Sequence, residues 1–347
     1  MKDHYDLLIL NNCPAFYKIN LYNEIAKHRK IFVVFIGYYD QVVIDKDFQE
    51  NIKFPYKMLN EKQLNQRNIL ESFFALRKIV KAFSFEKIIY GGYVDPEFIL
   101  NSFLTPQKKN ILQCESAGET KLSGPRFYIK KIVLSRYSQA LASGKMHEIV
   151  LRKMGFREKV IVTKGVGLAD KPVRETFVER HNEFKFLYVG RIIELKNLRN
   201  LIAVFNENGL PLTIAGNGTL ETELKAISKN NITWLGFVDN KDLDAIYKKH
   251  HVFILPSFSE PWGLVVEEAL YRNCALVLSD RIGSLNELLL DPETGVSFDP
   301  ENRQDLQQAI DQVVKNFSVY SKNAADFNFV EKDEHQISAY STEIFKK

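Results

Sequence analysis

Short apolar runs alternate with longer amphipathic stretches along the whole chain. In the first half, apolar runs of strand length occur at Leu7 to Leu10, Ile31 to Ile36, Lys87 to Tyr90, Asn110 to Cys114 and Val160 to Thr163. In the second half they occur at Phe184 to Val189, Leu212 to Ala215, Ile232 to Leu235, Val252 to Leu255 and Ala275 to Leu278. Runs of this length separated by helical stretches predict parallel sheets that are covered by helices on both faces.

The stretch after Asn197 illustrates the helical pattern. Its apolar residues fall on one stripe of a helix, and Asn197 is a candidate cap for the first turn. These apolar residues are Leu198, Leu201, Ile202 and Phe205. A similar stretch, Asn20 to His28, predicts a helix between the first two strands of the chain.

A polar stretch from Gly165 to His181 separates the two regular halves, and 347 residues favour two domains over one. We predict an α/β protein with two doubly wound Rossmann-like domains, over residues 1–166 and 167–328, that face each other across a cleft. Ligands of such sheets bind at the carboxyl ends of the strands, so the loops there are the candidate sites.

Composition excludes several classes of protein. Apolar residues make up 45% and charged residues 26%, which is typical of globular domains and not of disordered chains. No apolar run approaches the roughly 20 residues of a membrane helix, and the first ten residues do not predict a signal peptide. The three cysteines are far apart, without a metal or redox spacing. We therefore expect a cytoplasmic protein.

Charge is divided unequally between the halves. Residues 1–170 carry 27 Lys and Arg against 17 Asp and Glu, whereas residues 171–347 carry 20 against 26. A basic half favours an anionic partner, and the chain contains no nucleic-acid-binding motif, so we expect no nucleic acid. An anionic membrane surface is the candidate partner, with the segment Lys121 to Lys131 and its aromatic residues as the contact. An ordinary solvated basic face or amphipathic helix is the alternative.

Candidate phosphate-binding residues follow the first strand of the second half. Gly190 and Arg191 end that strand, and Lys196 stands at the start of the next helix. Two cations near the backbone N–H groups of a helix N-terminus suit a phosphate or diphosphate. Two surface cations without a ligand are the alternative.

Two glutamates follow a later strand at a fixed spacing. Glu260 lies in the loop after Val252 to Leu255, and Glu268 lies about one and a half turns into a helix that starts near Gly263. Carboxylates placed in this way can accept hydrogen bonds from hydroxyls at both ends of a polyol, while Gly263 lets backbone N–H groups approach an anion. Each glutamate alone would be read as a solvated surface residue.

The ordered set of motifs resembles family 4 of the retaining glycosyltransferases, which have the GT-B fold. The set comprises Val189-Gly190-Arg191 with Lys196, Ala215-Gly216-Asn217-Gly218, Leu235-Gly236-Phe237-Val238, Leu255-Pro256-Ser257, and Glu260 with seven residues before Glu268. It covers about Phe184 to Phe298. In similar proteins the last helix packs back on the N-terminal domain, which here implies a helix over about residues 329–347.

The resemblance implies roles for individual residues. Arg191 and Lys196 would hold the donor diphosphate, Glu260 would contact the donor sugar, and Glu268 would bind the ribose. The remaining implied donor-site residues are Gly190, Asn217, Phe237, Val238, Trp262, Gly263 and Leu264. Trp262 is also a candidate packing residue.

Two departures from the family pattern concern geometry and catalysis. The family often has a Gly-Gly-x-x-Glu turn after the strand that follows the second glutamate. Here the segment is Ile282-Gly283-Ser284-Leu285-Asn286-Glu287, in which Ser284 replaces one glycine. The N-terminal half has no glycine-rich loop after its first strand and no histidine at the expected strand end. Glu115 occupies roughly that position and is a candidate catalytic residue, with a structural carboxylate as the alternative.

Phe16, Tyr17 and Lys18, after the first strand, are candidate acceptor contacts.

Together these features predict a retaining transferase that moves a sugar from a UDP- or GDP-linked donor to a hydroxyl of a glycan or lipid-linked glycan. Capsule, O-antigen or lipopolysaccharide synthesis at the inner face of a bacterial membrane is the expected setting. Arg191 and Lys196 would replace a metal ion, so we expect no metal and no cofactor. A catalytically silent nucleotide-sugar-binding partner and a GT-B epimerase are the alternatives.

Overall fold

The computed structural model describes residues 2–38, 50–61, 63–116, 124–169, 171, 174 and 184–346. The chain divides into two compact units, Met1–Asp170 with Val330–Lys347, and Lys171–Phe329. The predicted boundary after residue 166 lies four residues before the end of the first segment. Much of the polar stretch Gly165 to His181 lies outside the described residues.

The first unit contains a parallel sheet whose strand order is β3-β2-β1-β4-β5-β6-β7. Its strands are β1 (His4–Asn11), β2 (Ile31–Phe35), β3 (Tyr56–Met58), β4 (Ser84–Tyr90), β5 (Asn110–Cys114), β6 (Gln139–Ala142) and β7 (Lys159–Val162). The helices between them are α1 (Phe16–Ala26), α2 (Ile69–Ala82), α3 (Pro96–Phe103), α4 (Pro125–Leu134) and α5 (Lys145–Lys153).

Both faces of this sheet are buried, which explains the continuous apolar runs of its central strands. Alternate residues of β1 enter different cores. Leu8 and Leu10 pack with residues of α2 to α5, whereas Leu7 and Ile9 pack on the other face with residues of α1.

The second unit contains a parallel sheet with the order β10-β9-β8-β11-β12-β13. Its strands are β8 (Phe186–Val189), β9 (Leu212–Ala215), β10 (Ile232–Gly236), β11 (Val252–Leu255), β12 (Ala275–Ser279) and β13 (Gly295–Phe298). Its helices are α6 (Leu198–Asn208), α7 (Glu221–Ile227), α8 (Asn240–Lys248), α9 (Leu264–Tyr271), α10 (Arg303–Lys315) and α11 (Phe317–Asp326).

The last helix, α12 (Phe329–Ser341), leads into a 3-10 turn, Glu343–Phe345. Ala339, Tyr340 and Ile344 are buried in the core that also holds Leu7 of β1. The Arg29 side chain fixes the end of the helix, because its Nε donates to the Ser341 carbonyl at 2.7 Å. The end of the chain is therefore part of the first unit.

The predicted strands are confirmed with shifts of a few residues at their ends. The helix predicted from Asn20 begins earlier, at Phe16, and ends at Ala26. Within the described residues, none of the helices is long and apolar enough to cross a membrane.

Candidate functional site

The second unit has a topological switch point between β8 and β11. These strands pair in parallel, with β9 and β10 on the β8 side and β12 and β13 on the β11 side. Because successive strands are added in opposite directions, the loops after β8 and β11 diverge and leave a crevice at the carboxyl edge. Gly190, Arg191 and Lys196 follow β8, and Glu260 follows β11, so the predicted donor residues lie at this crevice.

Glycine backbones bring the ends of three strands together beside the crevice. Gly216, after β9, has a φ of 138°, and a Cβ at this position would overlap the carbonyl oxygen of Gly190. The Gly216 N–H donates to the Gly236 carbonyl at 2.7 Å, and the Gly190 N–H donates to Ala215 at 3.0 Å. The glycine motifs therefore fix the strand ends through close backbone contact.

The two candidate cations are held differently. Arg191 is exposed, and its carbonyl accepts a 2.8 Å hydrogen bond from the Tyr188 hydroxyl. Lys196 ends the 3-10 turn Glu194–Lys196, and its Nζ forms an ion pair with a carboxylate oxygen of Glu260. Both side chains of this pair are largely buried.

Two charges of the candidate site act on the buried hydroxyl of Tyr188. Burial raises the pKa of Tyr188, the Glu260 carboxylate raises it further, and the Arg191 guanidinium opposes the rise. Since both charges act on one buried hydroxyl, Arg191 and Glu260 belong to a single electrostatic cluster with Lys196.

Asn197 does not cap α6 as the sequence predicts. It is left-handed, with a φ of 55°, and its side chain donates to the carbonyls of Pro256 at 3.1 Å and Pro300 at 2.8 Å. Asparagine tolerates this conformation better than most residues. The prediction was wrong because the amide connects the loop after β8 with the loops after β11 and β13. Asn197 thus positions its neighbour Lys196 against Glu260.

Glu260 is fixed by its backbone as well as by Lys196. Its N–H donates to Arg281 at 3.2 Å, and its carbonyl accepts from Gly283 at 2.9 Å. Gly263 then precedes α9 with a φ of 88°, a conformation that favours glycine. The first N–H groups of α9, starting at Leu264, have no carbonyl partner within their own helix. This start of a helix beside Glu260 suits an anion.

Glu268 lies on α9 and faces α8. Its Oε2 accepts a 3.0 Å hydrogen bond from the Tyr247 hydroxyl. Burial raises the pKa of Glu268, while the hydrogen bond from Tyr247 and the charge of Arg272 oppose the rise. Its neighbour Glu267 is buried and forms a 3.5 Å ion pair with Lys171. The two adjacent glutamates therefore differ, with Glu267 in a buried ion pair and Glu268 in a hydrogen bond to a tyrosine.

The remaining predicted donor residues fall into exposed and buried groups. Asn217 and Phe237 are exposed, Val238 is half-buried, and Trp262 is 3% exposed. The exposed ring of Phe237 at the end of β10 can stack on a planar base. The Trp262 side chain packs in the core, which is the alternative that its sequence position left open.

Ser284, where the family often has glycine, is fully buried. Its hydroxyl donates to the Trp262 carbonyl at 2.7 Å. The serine therefore supports the loop between Glu260 and α9 through a hydrogen bond that glycine cannot make.

Glu115 follows β5 at the carboxyl edge of the first unit's sheet. Its Oε1 accepts hydrogen bonds from Lys18 Nζ and from the Gln113 side-chain amide. Both donors meet one oxygen, and the Glu115 side chain remains 33% exposed. The carboxylate is thus held in one orientation while part of it faces solvent.

The predicted acceptor residues do not share one environment. Phe16 is exposed and Tyr17 is half-buried, but Lys18 is buried and its ammonium group contacts Glu115. Sequence reasoning missed Gln113 and the pairing of Lys18 with Glu115. The alternation of Gln113 and Glu115 on one face at the end of β5 is the signal that could have found the first of these.

The two cysteines at this edge are unfavourable nucleophiles. Burial raises the pKa of Cys13 to about 12, with Lys18 opposing the rise and Glu115 adding to it. Burial likewise raises the pKa of Cys114 to about 12. Both thiols are therefore protonated at neutral pH and are poor nucleophiles.

Residues 170–327 match the family described as "Glycosyl transferases group 1". The chain is 31% identical to glycogen synthase of Mycobacterium tuberculosis over 170 residues. The aligned region covers 46% of this chain and 41% of that protein. The chain thus spans less than half the length of this curated relative.

Solved structures that resemble nearly the whole chain include the following two. The lipopolysaccharide outer core galactosyltransferase WaaB, in its apo form, has a TM-score of 0.73 at 14% identity, with 97% of this chain and 99% of that one covered. Anabaena Alr3699/HepE, solved with UDP and glucose, has a TM-score of 0.70 at 15% identity, with 98% of each chain covered.

These comparisons show the fold of the chain and the family that its second unit matches. The chain has the GT-B fold, and its second unit carries a glycosyltransferase group 1 domain, as the sequence predicts. The predicted enzyme class is confirmed at the level of this domain. Membership of family 4, the retaining mechanism and the roles of individual site residues remain predictions.

Proposed function

We propose that the chain is a retaining glycosyltransferase that moves a sugar from a nucleoside diphosphate donor to a hydroxyl of a glycan or lipid-linked glycan. The observation that carries the proposal is the cluster of Arg191, Lys196 and Glu260 beside the start of α9. Cations and helix N–H groups suit the diphosphate, and the carboxylate suits the sugar hydroxyls.

The chemistry follows from where charge develops. As the bond from the sugar to the diphosphate breaks, negative charge grows on the leaving phosphate, and Arg191 and Lys196 stabilise it. Glu260 both holds Lys196 and accepts hydrogen bonds from the sugar. Glu268 accepts hydrogen bonds from the ribose, and Phe237 and Val238 lie beside the base. In a retaining reaction the departing phosphate assists removal of the proton from the acceptor hydroxyl, on the face it leaves.

The two cations and the helix N–H groups of this site also support the proposal that no metal ion is required, because they can stabilise the charge of a diphosphate. Among the described residues, His4, Asp6 and Glu86 have potential ligand atoms within 4.8 Å of one another. They stand at the starts of β1 and β4, the opposite edge from Glu115. We expect EDTA to leave sugar transfer unchanged.

The proposed donor and acceptor are taken from what similar proteins bind or are named for. A UDP- or GDP-linked sugar is the proposed donor, supported by the UDP and glucose bound to Alr3699/HepE. A glycan or lipid-linked glycan of capsule, O-antigen or lipopolysaccharide is the proposed acceptor, supported by the name of WaaB. The cytoplasmic side of a bacterial membrane is the proposed location. Phe16 and Tyr17 are proposed acceptor contacts, and Glu115 is proposed to contact the acceptor hydroxyl or the donor sugar.

The donor site is tested by nucleotide binding. Thermal unfolding of the full chain is measured with UDP, GDP, ADP and CMP, for the native chain, Arg191→Ala and the control Arg199→Ala. The Arg199 guanidinium is a nearby cation of the same unit, and its partners are Glu223 and Glu194. A nucleotide at about 100 times its Kd stabilises the fold by roughly 2.7 kcal/mol. We expect one diphosphate to raise the melting temperature of the native and control chains but not of Arg191→Ala.

A second measurement separates the enzyme from its alternatives. The slow hydrolysis of the sugar nucleotide whose diphosphate binds is followed by NMR, and a retaining enzyme releases the sugar first in the anomeric form of the donor. Binding without turnover supports a silent partner protein, and a product with an inverted sugar hydroxyl supports an epimerase. No response to any nucleotide contradicts the proposal.

A further inference from the structure

Three neighbouring helices cover the same face of the first unit's sheet. Leu76 of α2, Phe98 of α3 and Val133 of α4 all enter one core, whereas residues of α1 and α12 pack on the other face. A side-chain hydrogen bond connects α2 with α3. The Arg77 guanidinium of α2 donates to Asn101 of α3 at 3.2 Å. We call the outward surface of these helices the α2–α4 face.

This face carries exposed apolar side chains on every helix. They are Leu70 and Phe74 on α2, Leu100 and Phe103 on α3 with Leu104 directly after it, and Tyr128, Ile129 and Ile132 on α4. Scattered single apolar residues are common on protein surfaces, whereas large exposed apolar patches are typical of interaction sites.

Helix α4 has the most marked set of exposed apolar residues. Tyr128, Ile129 and Ile132 are 66%, 59% and 58% exposed, while Val133 and Leu134 are buried against the sheet. The helix is therefore apolar on both sides, and packing on the sheet accounts for only one of them. The predicted basic segment Lys121 to Lys131 lies partly outside the described residues, and its described part forms much of α4.

Cations lie among these apolar residues. The Arg136 guanidinium lies 5.3 Å from the exposed Phe103 ring, and the half-buried Lys130 of α4 lies with its Nζ 5.8 Å from the ring of the buried Tyr93. Lys78, Lys81 and Lys131 are exposed. The acidic Glu97 of α3 is fully buried and paired with Arg67 at 2.7 Å, so it adds no charge to the face, and Glu71 is the exposed acid of α2.

We propose that the α2–α4 face binds the surface of an anionic lipid bilayer. Its apolar side chains would enter the boundary between headgroups and acyl chains, while the lysine and arginine stems extend their charges to lipid phosphates. The interleaving favours a bilayer over a protein partner, because protein interfaces concentrate apolar residues in a core from which charges are depleted. The inference does not depend on the proposed transferase activity, since the candidate donor residues lie in the second unit.

The test is co-sedimentation of the full chain with lipid vesicles. One set is phosphatidylcholine alone, and the other contains about one third phosphatidylglycerol, an anionic lipid. The variants are Ile129→Ser with Ile132→Ser, and Lys130→Glu with Lys131→Glu. The matched control is Leu290→Ser with Val319→Ser, two exposed apolar residues of the second unit. Thermal unfolding and nucleotide response are measured for each variant, so that loss of folding or of the donor site is recognised separately.

We expect the native and control chains to bind the anionic vesicles and to be released by salt. Each α4 variant should bind at least about tenfold more weakly, because it loses two inserting groups or two cations near the surface. No binding to anionic vesicles, or equal binding by the folded α4 variants, overturns the proposal. Concentration-dependent self-association that the α4 variants abolish, without vesicle binding, shows a protein interface and also overturns it.

Discussion

Lys196 and Glu260 form a largely buried ion pair although they are 64 residues apart in sequence. The pair connects the loops after two adjacent strands, β8 and β11, at the point where the sheet topology opens a crevice. Asn197 adds hydrogen bonds from the loop after β8 to Pro256, after β11, and to Pro300, after β13. A diphosphate that binds here must therefore enter a site in which one cation already has a carboxylate partner.

This pairing predicts strong coupling between the two side chains. Lys196→Met or Glu260→Gln alone should lower the free energy of unfolding by about 2–3 kcal/mol, because each leaves a largely buried partner unpaired. The double variant should lose about 1–2 kcal/mol less than the sum of the single changes. Urea unfolding of the four chains measures the coupling. Additive losses would show that the pair is not a single energetic unit.

The environment of Glu268 predicts a pH dependence for nucleotide binding. Burial raises the pKa of this carboxyl, and the ribose hydroxyls are proposed to bind its ionised form. Affinity for the nucleotide should therefore be complete above the raised pKa and fall as the pH drops through it. Tyr247→Phe removes a hydrogen bond that favours ionisation, so the midpoint should move to higher pH.

Calorimetric titration at a series of pH values measures both midpoints. Tyr320→Phe is the control, because its hydroxyl lies on α11 and accepts from Gln312 at 3.2 Å. A midpoint for Tyr247→Phe at or below that of the native chain would argue against an ionised Glu268 in nucleotide recognition.

Local sequence predicted most strands and the loops in which the candidate donor motifs lie. Long apolar runs such as Leu7 to Leu10 mark central parallel strands, because both faces of the sheet are buried. The short strands Tyr56–Met58, Gln139–Ala142 and Gly295–Phe298 were missed, since each has four or fewer residues and includes polar residues or glycine.

Contacts between distant residues could not be predicted in the same way. The partner of Glu115 is Lys18, 97 residues earlier, and the contact depends on β1 and β5 lying on either side of β4. Asn197 was assigned to a helix cap because local sequence favours that role, but its tertiary partners determine its conformation. The sequence could not decide whether Trp262 contacts the donor or packs in the core, because that depends on its burial.

Close backbone contact predicts that Gly216 cannot be replaced. Gly216→Ala would place a Cβ on the carbonyl oxygen of Gly190, a backbone atom that cannot move without disturbing the end of β8. We expect a loss of about 3 kcal/mol or more in the free energy of unfolding, together with loss of the nucleotide response.

Gly209→Ala is the matched control, because Gly209 also has a positive φ, 71°, but a Cβ there meets nothing within 4 Å. This control should lose only about 1 kcal/mol from backbone strain and should retain the nucleotide response. Urea unfolding and the thermal response to nucleotide measure both effects. Equal losses in the two variants would show that conformation alone, and not contact with Gly190, requires the glycine.

Packing of the last helix predicts that the cost of a side chain at Gly165 depends on the side chain at position 336. A Cβ at Gly165 would lie 2.6 Å from Gln336 Oε1, and Gln336 on α12 is fully buried, so its amide has little room to move. Gly165→Ala should therefore lower the free energy of unfolding by about 1–3 kcal/mol in the native background. In the Gln336→Ala background the obstructing amide is gone, and the same change should cost less than about 0.5 kcal/mol. Urea unfolding of the four chains measures this dependence. An equal cost in both backgrounds would mean that Gly165 is required for a reason other than its close packing against Gln336 of α12.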